Sequence, residues 1–273
     1  MTIKSTAGRR PAPAADNAGT EAAARVADVL LLFTGGPRYL GVSAISRELG
    51  LSKAVVYRIL QSLVSRDVLA TDEGVSGYRL GTAAAALGAS ALRRFDARTV
   101  ATPVLRRLRD ETGETTTLSG LVGDERVYLD QFESPREIKM TVELGRRFPL
   151  HAGSSGKVIL AFLPEERRET LLHRPLNSLT DNTITDETRL RAALADAVRE
   201  GVAVSLGERQ AGAGSVAAPL FGPGGEVQGS ISICGPQYRF TPEAIDHYRA
   251  LIRAAAEEIR TNWSWLRAQP GRD

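Results

Sequence analysis

The chain has 273 residues, 42% hydrophobic and 25% charged, the balance of a soluble globular protein and a length that suits two domains better than one core. No run approaches the ~18 consecutive apolar residues of a membrane span, and Met1 to Thr20 lacks the apolar stretch of a signal peptide, so the expectation is a cytoplasmic chain with a disordered tail over residues 1–20. One cysteine (Cys234) and three histidines (His151, His173, His247) exclude an intrachain disulfide and argue against a structural zinc site, while the net charge of +3 resides wholly in residues 1–85, with 10 Lys/Arg against 7 Asp/Glu.

Val26, Val29, Leu30 and Phe33 recur at helical spacing and predict a first helix, stopped by Gly35-Gly36-Pro37. A short second helix is expected from Ser43 as N-cap, with Ile45 and Leu49 inside, Arg47 and Glu48 outside, and Gly50 at its end. A third begins at once from Ser52. Its buried stripe is Val56, Ile59, Leu60 and Leu63, and its other face carries Lys53, Tyr57, Arg58, Gln61 and Ser62. Two helices joined through a glycine turn describe a helix-turn-helix, and equally a helical hairpin with a solvated polar face. The segment after the third helix favours the first. Val68 to Thr71 and Tyr78 to Leu80 flank the turn Asp72 to Gly77, a β-hairpin placed where a wing would be. The expected DNA-contacting set is Ser43, Arg47, Ser52, Lys53, Val55, Tyr57, Arg58 and Gln61, with Arg79 reaching phosphate from the wing.

The run from Val42 to Leu63, closed by Gly77-Tyr78-Arg79-Leu80-Gly81, resembles the IclR family of bacterial regulators. One departure is Ala54-Val55, where the family commonly carries Ser or Thr. That removes a hydroxyl from the reading helix and leaves Val55 to touch a thymine methyl.

The Ala-rich stretch after Gly81 predicts a linker helix over residues 82–100, with Ala84, Leu87 and Ala91 on one face. That face suits a dimer contact or packing on its own domain; the family resemblance implies a dimer.

The remainder alternates. Helices are expected over Pro103–Gly113, Gly156–Phe162, Pro164–Leu172 and Glu187–Glu200, and a long final helix capped by Thr241-Pro242-Glu243 carries an apolar stripe from Leu251 to Leu266. Strands are expected over Thr115–Val122, Arg126–Phe132, Ile138–Val142, Val202–Leu206, Ser215–Leu220 and Val227–Ile233. This order implies an α+β domain, an antiparallel sheet with helices packed on it. The resemblance continues through Glu111–Thr115, Val127–Asp130, Pro149–Ala152 with Gly156-Lys157, Leu160–Pro164, Thr183–Asp186, Val216–Pro219 and Ser230–Pro236, covering about residues 22–267 in all. It implies a GAF-like effector-binding fold over residues 101–268, after a winged helix-turn-helix over 21–81, and a short tail over 269–273.

No catalytic constellation stands out. Gly153-Ser154-Ser155-Gly156 is not a nucleophile elbow, there is no phosphate loop or dinucleotide fingerprint, and Gly222-Pro223-Gly224-Gly225 reads as a hairpin turn. His151 reads as a hydrogen-bonded structural residue. Ser154, Ser155 and Gly156 open a helix, where backbone N–H groups and hydroxyls can receive an anion, or where one serine simply caps the helix. The resemblance implies that this segment lines an effector pocket with Ser215, Ser232 and Cys234, and Glu208 is what remains of an acidic stretch common in the family. Strand alternation puts Ser230, Ser232 and Cys234 on one face. The expected partners are a double-stranded DNA operator, a small-molecule effector of the small organic acid class, and further copies of the chain in a dimer or tetramer; no membrane, metal or cofactor is expected. A C-terminal domain that only oligomerises is the alternative, and an enzyme fused to a DNA-binding domain a distant third.

Overall fold

A computed structural model describes residues 20–34, 37–93, 96–222 and 224–268. They form two compact units that part between residues 94 and 95. The tail expected over residues 1–20 lies, apart from Thr20, outside the described residues, as do the tail over 269–273 and the Gly35-Gly36 stop.

The N-terminal unit packs α1 (Glu21–Leu32), α2 (Val42–Leu49) and α3 (Lys53–Val64) around Val29, Ile45, Val56, Leu60, Leu63 and Leu69. Gly50 closes α2 in the left-handed region, φ 67°, where a Cβ would be strained. Ser52 then caps α3, its Oγ accepting from Val55 N at 3.4 Å. Ser43 is not a cap: α2 starts earlier, on Gly41 in extended conformation, whose carbonyl accepts from Ile45 N at 3.2 Å and leaves Ser43 exposed in the first turn. β1 (Leu69–Ala70) pairs antiparallel with β2 (Arg79–Leu80), and Leu40 bridges Tyr78 beside them.

The single helix expected over 82–100 is two. α4 (Thr82–Arg93) belongs to the first unit and α5 (Asp96–Thr112) to the second, with Pro103 inside α5 rather than at its start.

The C-terminal unit is built on one antiparallel sheet in the order β5-β4-β3-β8-β7-β6. Its strands are β3 (Thr115–Val122), β4 (Glu125–Phe132), β5 (Arg147–Pro149), β6 (Ala203–Leu206), β7 (Ala213–Phe221) and β8 (Val227–Pro236). On one face α5 and α9 (Pro242–Ala268) bury Leu118, Val216, Ala218, Leu220, Ile231 and Ile233. On the other lie α6 (Ser154–Ala161), α7 (Glu165–Leu172) and α8 (Glu187–Glu200), over a core that includes Ile159, Leu160, Leu190, Leu194 and Ala217. Asp186 caps α8, accepting from Arg189 N at 2.8 Å.

The strand expected over Ile138–Val142 does not form. Its backbone groups are taken by side chains: Met140 O accepts from Thr115 Oγ1, Ile138 O from Arg239, and Val142 exchanges two 2.9 Å bonds with the Gln131 amide. β5 pairs with β4 instead, seven residues beyond Met140 at its start.

β8 and β3 pair at glycines, Gly229 opposite Gly120. A Cβ on Gly229 would lie 2.1 Å from Ser119 O, and a backbone oxygen in a paired strand has nowhere to go. Gly229→Ala should therefore destabilise the C-terminal unit by at least ~1–3 kcal/mol, read from the urea midpoint. An unchanged midpoint would mean that these strands can separate freely.

Candidate functional site

On the N-terminal unit, α3 presents Lys53, Tyr57, Arg58 and Gln61 outward, and α2 presents Ser43 and Arg47. Among the described residues, Lys53, Arg58 and Arg47 take part in no ion pair, and Tyr57 is 52% exposed. Val55 is half-buried. Gln61 donates to Tyr78 Oη at 3.2 Å, joining α3 to the hairpin. Arg79 is committed otherwise than expected. Its Nε and Nη2 grip Asp72 at 2.8 and 2.6 Å, and Nη1 donates to Leu80 O. Tyr39 Oη also donates to Asp72, and these bonds hold that carboxyl below the usual range. The hairpin is thus braced by its own arginine, which keeps two of its five N–H donors for an outside group.

In the C-terminal unit a cavity lies between the N-terminal end of α6 and the sheet. Alternation along β8 sends Ile231 and Ile233 into the α5–α9 core and Ser232 and Cys234 towards α6. Ser215, Ser154, Ser155, Ser205, Tyr128, Arg126, Met140, Arg209 and Gln210 complete most of the wall. The hydroxyls satisfy one another: Ser154 Oγ donates to Ser215 Oγ at 2.7 Å, and Thr117 and Ser232 share a 2.7 Å bond. Burial pushes the Cys234 thiol up to about 12, so it is neutral.

Arg126 is the outlier among these groups. It is 1% exposed, and its Nη groups reach only Tyr128 Oη at 3.2 Å and Ser119 Oγ at 3.5 Å. Its buried Nε has no acceptor. The guanidinium lies 4.5 Å from the Tyr128 ring centre and 5.0 Å from that of Phe148, which offsets part of its desolvation. Burial, and then the nearby Arg209 cation, lower its pKa, although a guanidinium stays charged.

Five of the expected residues, Ser154, Ser155, Ser215, Ser232 and Cys234, therefore line one cavity, and two do not. Gly156 sits under the Leu150 carbonyl, which a Cβ would approach to 2.6 Å. Glu208 turns to α6, taking Lys157 Nζ at 2.5 Å and Gly153 N at 3.3 Å. Neither serine caps α6, whose N-cap is Gly153 with no side-chain bond. Arg126, Tyr128 and Arg209 were not foreseen. The signal for the first two lay in β4, where alternation aligns Arg126 with Tyr128; for Arg209 there was none. The cavity volume is about 20 Å³, room for a water molecule, so an organic ligand enters only if part of the wall moves. Among the described residues there is no metal-binding group of three or more His, Cys, Asp or Glu, and no helix is long and apolar enough to cross a membrane.

The family model described as bacterial transcriptional regulator IclR C-terminal matches residues 89–261, and the IclR helix-turn-helix domain matches residues 22–73. The chain is similar to the HTH-type transcriptional regulator BhcR of Paracoccus denitrificans, 32% identical over 90% of this chain and 88% of that one. It is likewise 32% identical to the HTH-type transcriptional repressor AllR of Escherichia coli K12, over 84% of each. Among solved structures, an IclR homologue from Microbacterium hydrocarbonoxydans complexed with 4-hydroxybenzoate superposes with a TM-score of 0.71 at 29% identity, covering 91% of this chain and 100% of that one. An IclR regulator from Alicyclobacillus acidocaldarius gives 0.81 at 27% identity, covering 90% and 99%.

Beside the cavity, His151 is buried and donates from Nε2 to Asn177 O at 2.9 Å. Burial lowers its pKa below the ordinary 6.5, partly opposed by that bond and by Glu208. The folded state thus favours the neutral ring. Its stabilisation is complete above the unfolded pKa and falls as pH drops below 6.5 and the unfolded chain takes up a proton first. Urea midpoints between pH 7.5 and 5.5 should decline in the native chain and flatten in His151→Gln. Parallel profiles for the two would place the pH sensitivity elsewhere.

Proposed function

We infer function from one premise: the chain belongs to the IclR family of bacterial transcriptional regulators. It is a DNA-binding regulator, with a helix-turn-helix domain followed by an IclR effector domain. The finer reading is that α3 enters the major groove and that Lys53, Tyr57 and Arg58 make its principal contacts, supported by their exposure and their freedom from ion pairs. Ser43, Arg47, Ser52 and Val55 flank them, Gln61 ties the helix to the hairpin, and Arg79, braced on Asp72, lies in the hairpin where it can reach phosphate. The operator is a roughly palindromic site bound by a dimer or a pair of dimers in the cytoplasm. α4 supports the dimer, since Leu87 is 66% exposed and Ala91 is exposed one turn on.

The C-terminal unit is a sensor for a small organic acid, and no catalytic role is proposed for it. The observation that carries this reading is Arg126, a buried cation on the cavity wall with an unused Nε and, among the described residues, no carboxylate partner. A buried charge left unpaired costs several kcal/mol, and a ligand carboxylate would remove that cost. Ser154, Ser155, Ser215, Ser232 and Cys234 then meet its polar substituents. The small cavity volume favours a second reading, in which this unit only oligomerises and its polar interior is closed for good.

Arg58→Ala should weaken operator binding without altering the melting temperature. If Arg58 meets phosphate, affinity falls on every sequence and the salt slope shrinks by about 1; if it reads guanine, discrimination drops by roughly 1–3 kcal/mol at one base pair. Unchanged gel-shift titrations would remove it from the interface. For the sensor, at least one acid in a thermal-shift panel should raise the melting temperature of the native chain and change its operator affinity. Arg126→Met should lose both responses and keep unliganded operator binding. A full response in that variant would take Arg126 out of the effector site, and an inert panel would support the oligomerisation reading instead.

A further inference from the structure

The charges around the cavity do not balance. Arg209, on the turn between β6 and β7, leans over the same two rings as Arg126, 5.8 Å from the Tyr128 centre and 5.0 Å from that of Phe148. Its one side-chain hydrogen bond, at 3.3 Å, goes to the neutral amide of Gln210. Among the described residues, neither guanidinium has a carboxylate within ion-pair distance. The two acids that could have served are spent. Glu208 faces Lys157, and the fully buried Glu114 is clasped by Arg136 and Arg239. The remaining wall is hydroxyl, thiol, thioether and amide. The site therefore holds two cations close enough to repel, one of them buried, and no anion.

A ligand with one negative charge answers only one of these cations. It would also cover Arg209, half-buried on the cavity wall, and strip it of solvent with no partner. A ligand with two negative charges closes the balance. Resting on the reading of this cavity as the effector site, we propose that the effector is a dicarboxylic acid, one carboxylate on Arg126 and the other on Arg209. Arg126 is the fixed end, on a strand inside the sheet. Arg209 is the adjustable end, half-buried and borne on a turn beside the exposed Gln210. Movement of that turn also provides the room that the closed cavity lacks. Guanidinium and carboxylate match as paired forks, so each end can be held by two parallel bonds.

The test uses the full chain at fixed ionic strength, in titration calorimetry. Malonate, succinate, glutarate, adipate and terephthalate are each compared with their own monomethyl ester, which keeps the shape and removes one charge. At least one diacid should bind tenfold or more tightly than its ester. In Arg209→Gln that ratio should collapse to less than about threefold, and Arg209→Lys, which keeps the charge, should restore part of it. Melting temperatures of the unliganded variants report whether the fold is intact. An ester that binds as well as its diacid, or binding confined to monocarboxylates, overturns the dianion and leaves the acid-sensing cavity standing. Silence from diacids and monoacids alike overturns both.

Discussion

The sheet of the C-terminal unit must serve two unlike neighbours, and strand alternation is what lets it do so. Along β8, Ile231 and Ile233 enter the hydrocarbon layer under α5 and α9, while Ser230, Ser232 and Cys234 face α6. Thr117 and Ser119 on β3 and Ser215 on β7 extend the polar face. A buried hydroxyl costs free energy unless it is hydrogen-bonded, so this face must be matched group by group. Thr117 pairs with Ser232, Ser154 with Ser215, and Ser230 with the Ser155 carbonyl. α6 is held against it by Glu208, which binds both Gly153 N and Lys157. Among the described residues, Arg126 is a fully buried member of the polar layer that these internal bonds leave incomplete, and the functional reading grows from that deficit.

The N-terminal unit solves a different problem, that of keeping a charged face free. Its apolar stripe fixes α3 on α1 and α2, so Lys53 and Arg58 need no internal partner. The wing, too short to have a core of its own, is braced by Asp72, Arg79 and Tyr39 instead. Charge is therefore consumed in the wing and left available on the helix. In the sensor unit most charges are likewise consumed, in pairs such as Lys157–Glu208 and Arg239–Glu114. Among the described residues, Arg126 and Arg209 on the cavity wall take part in no such pair.

Much of this was legible from residue order. Periodicity of 3.6 gave the α3 stripe, Gly50 and Ser52 gave the turn before it, and alternation in β8 put Ser232 and Cys234 on one side. The failures have physical causes. Residues 138–142 have strand-like composition, but Thr115, Gln131 and Arg239 reach their backbone first, and no local pattern announces a side chain from 25 or 101 positions away. Glu208 looked like a ligand group because its ion pair with Lys157 spans 51 residues. Ser43 resembled a cap because Gly41 has no side chain to signal one. Alternation in β4 aligns Arg126 with Tyr128, but its isolation from every carboxylate among the described residues emerges only when the neighbours are placed in space.

The central claim is that the Arg126 Nε–H awaits an acceptor from outside the chain. Nitrogen-15 NMR of the arginine side chains tests it at that atom, with Arg126→Lys to assign the resonance. On titration with an acid that alters operator affinity, the Arg126 Nε–H proton should move downfield and its exchange with water should slow, as a charge-assisted hydrogen bond forms. An unmoved Arg126 resonance, while the same acid still changes operator binding, would contradict the account.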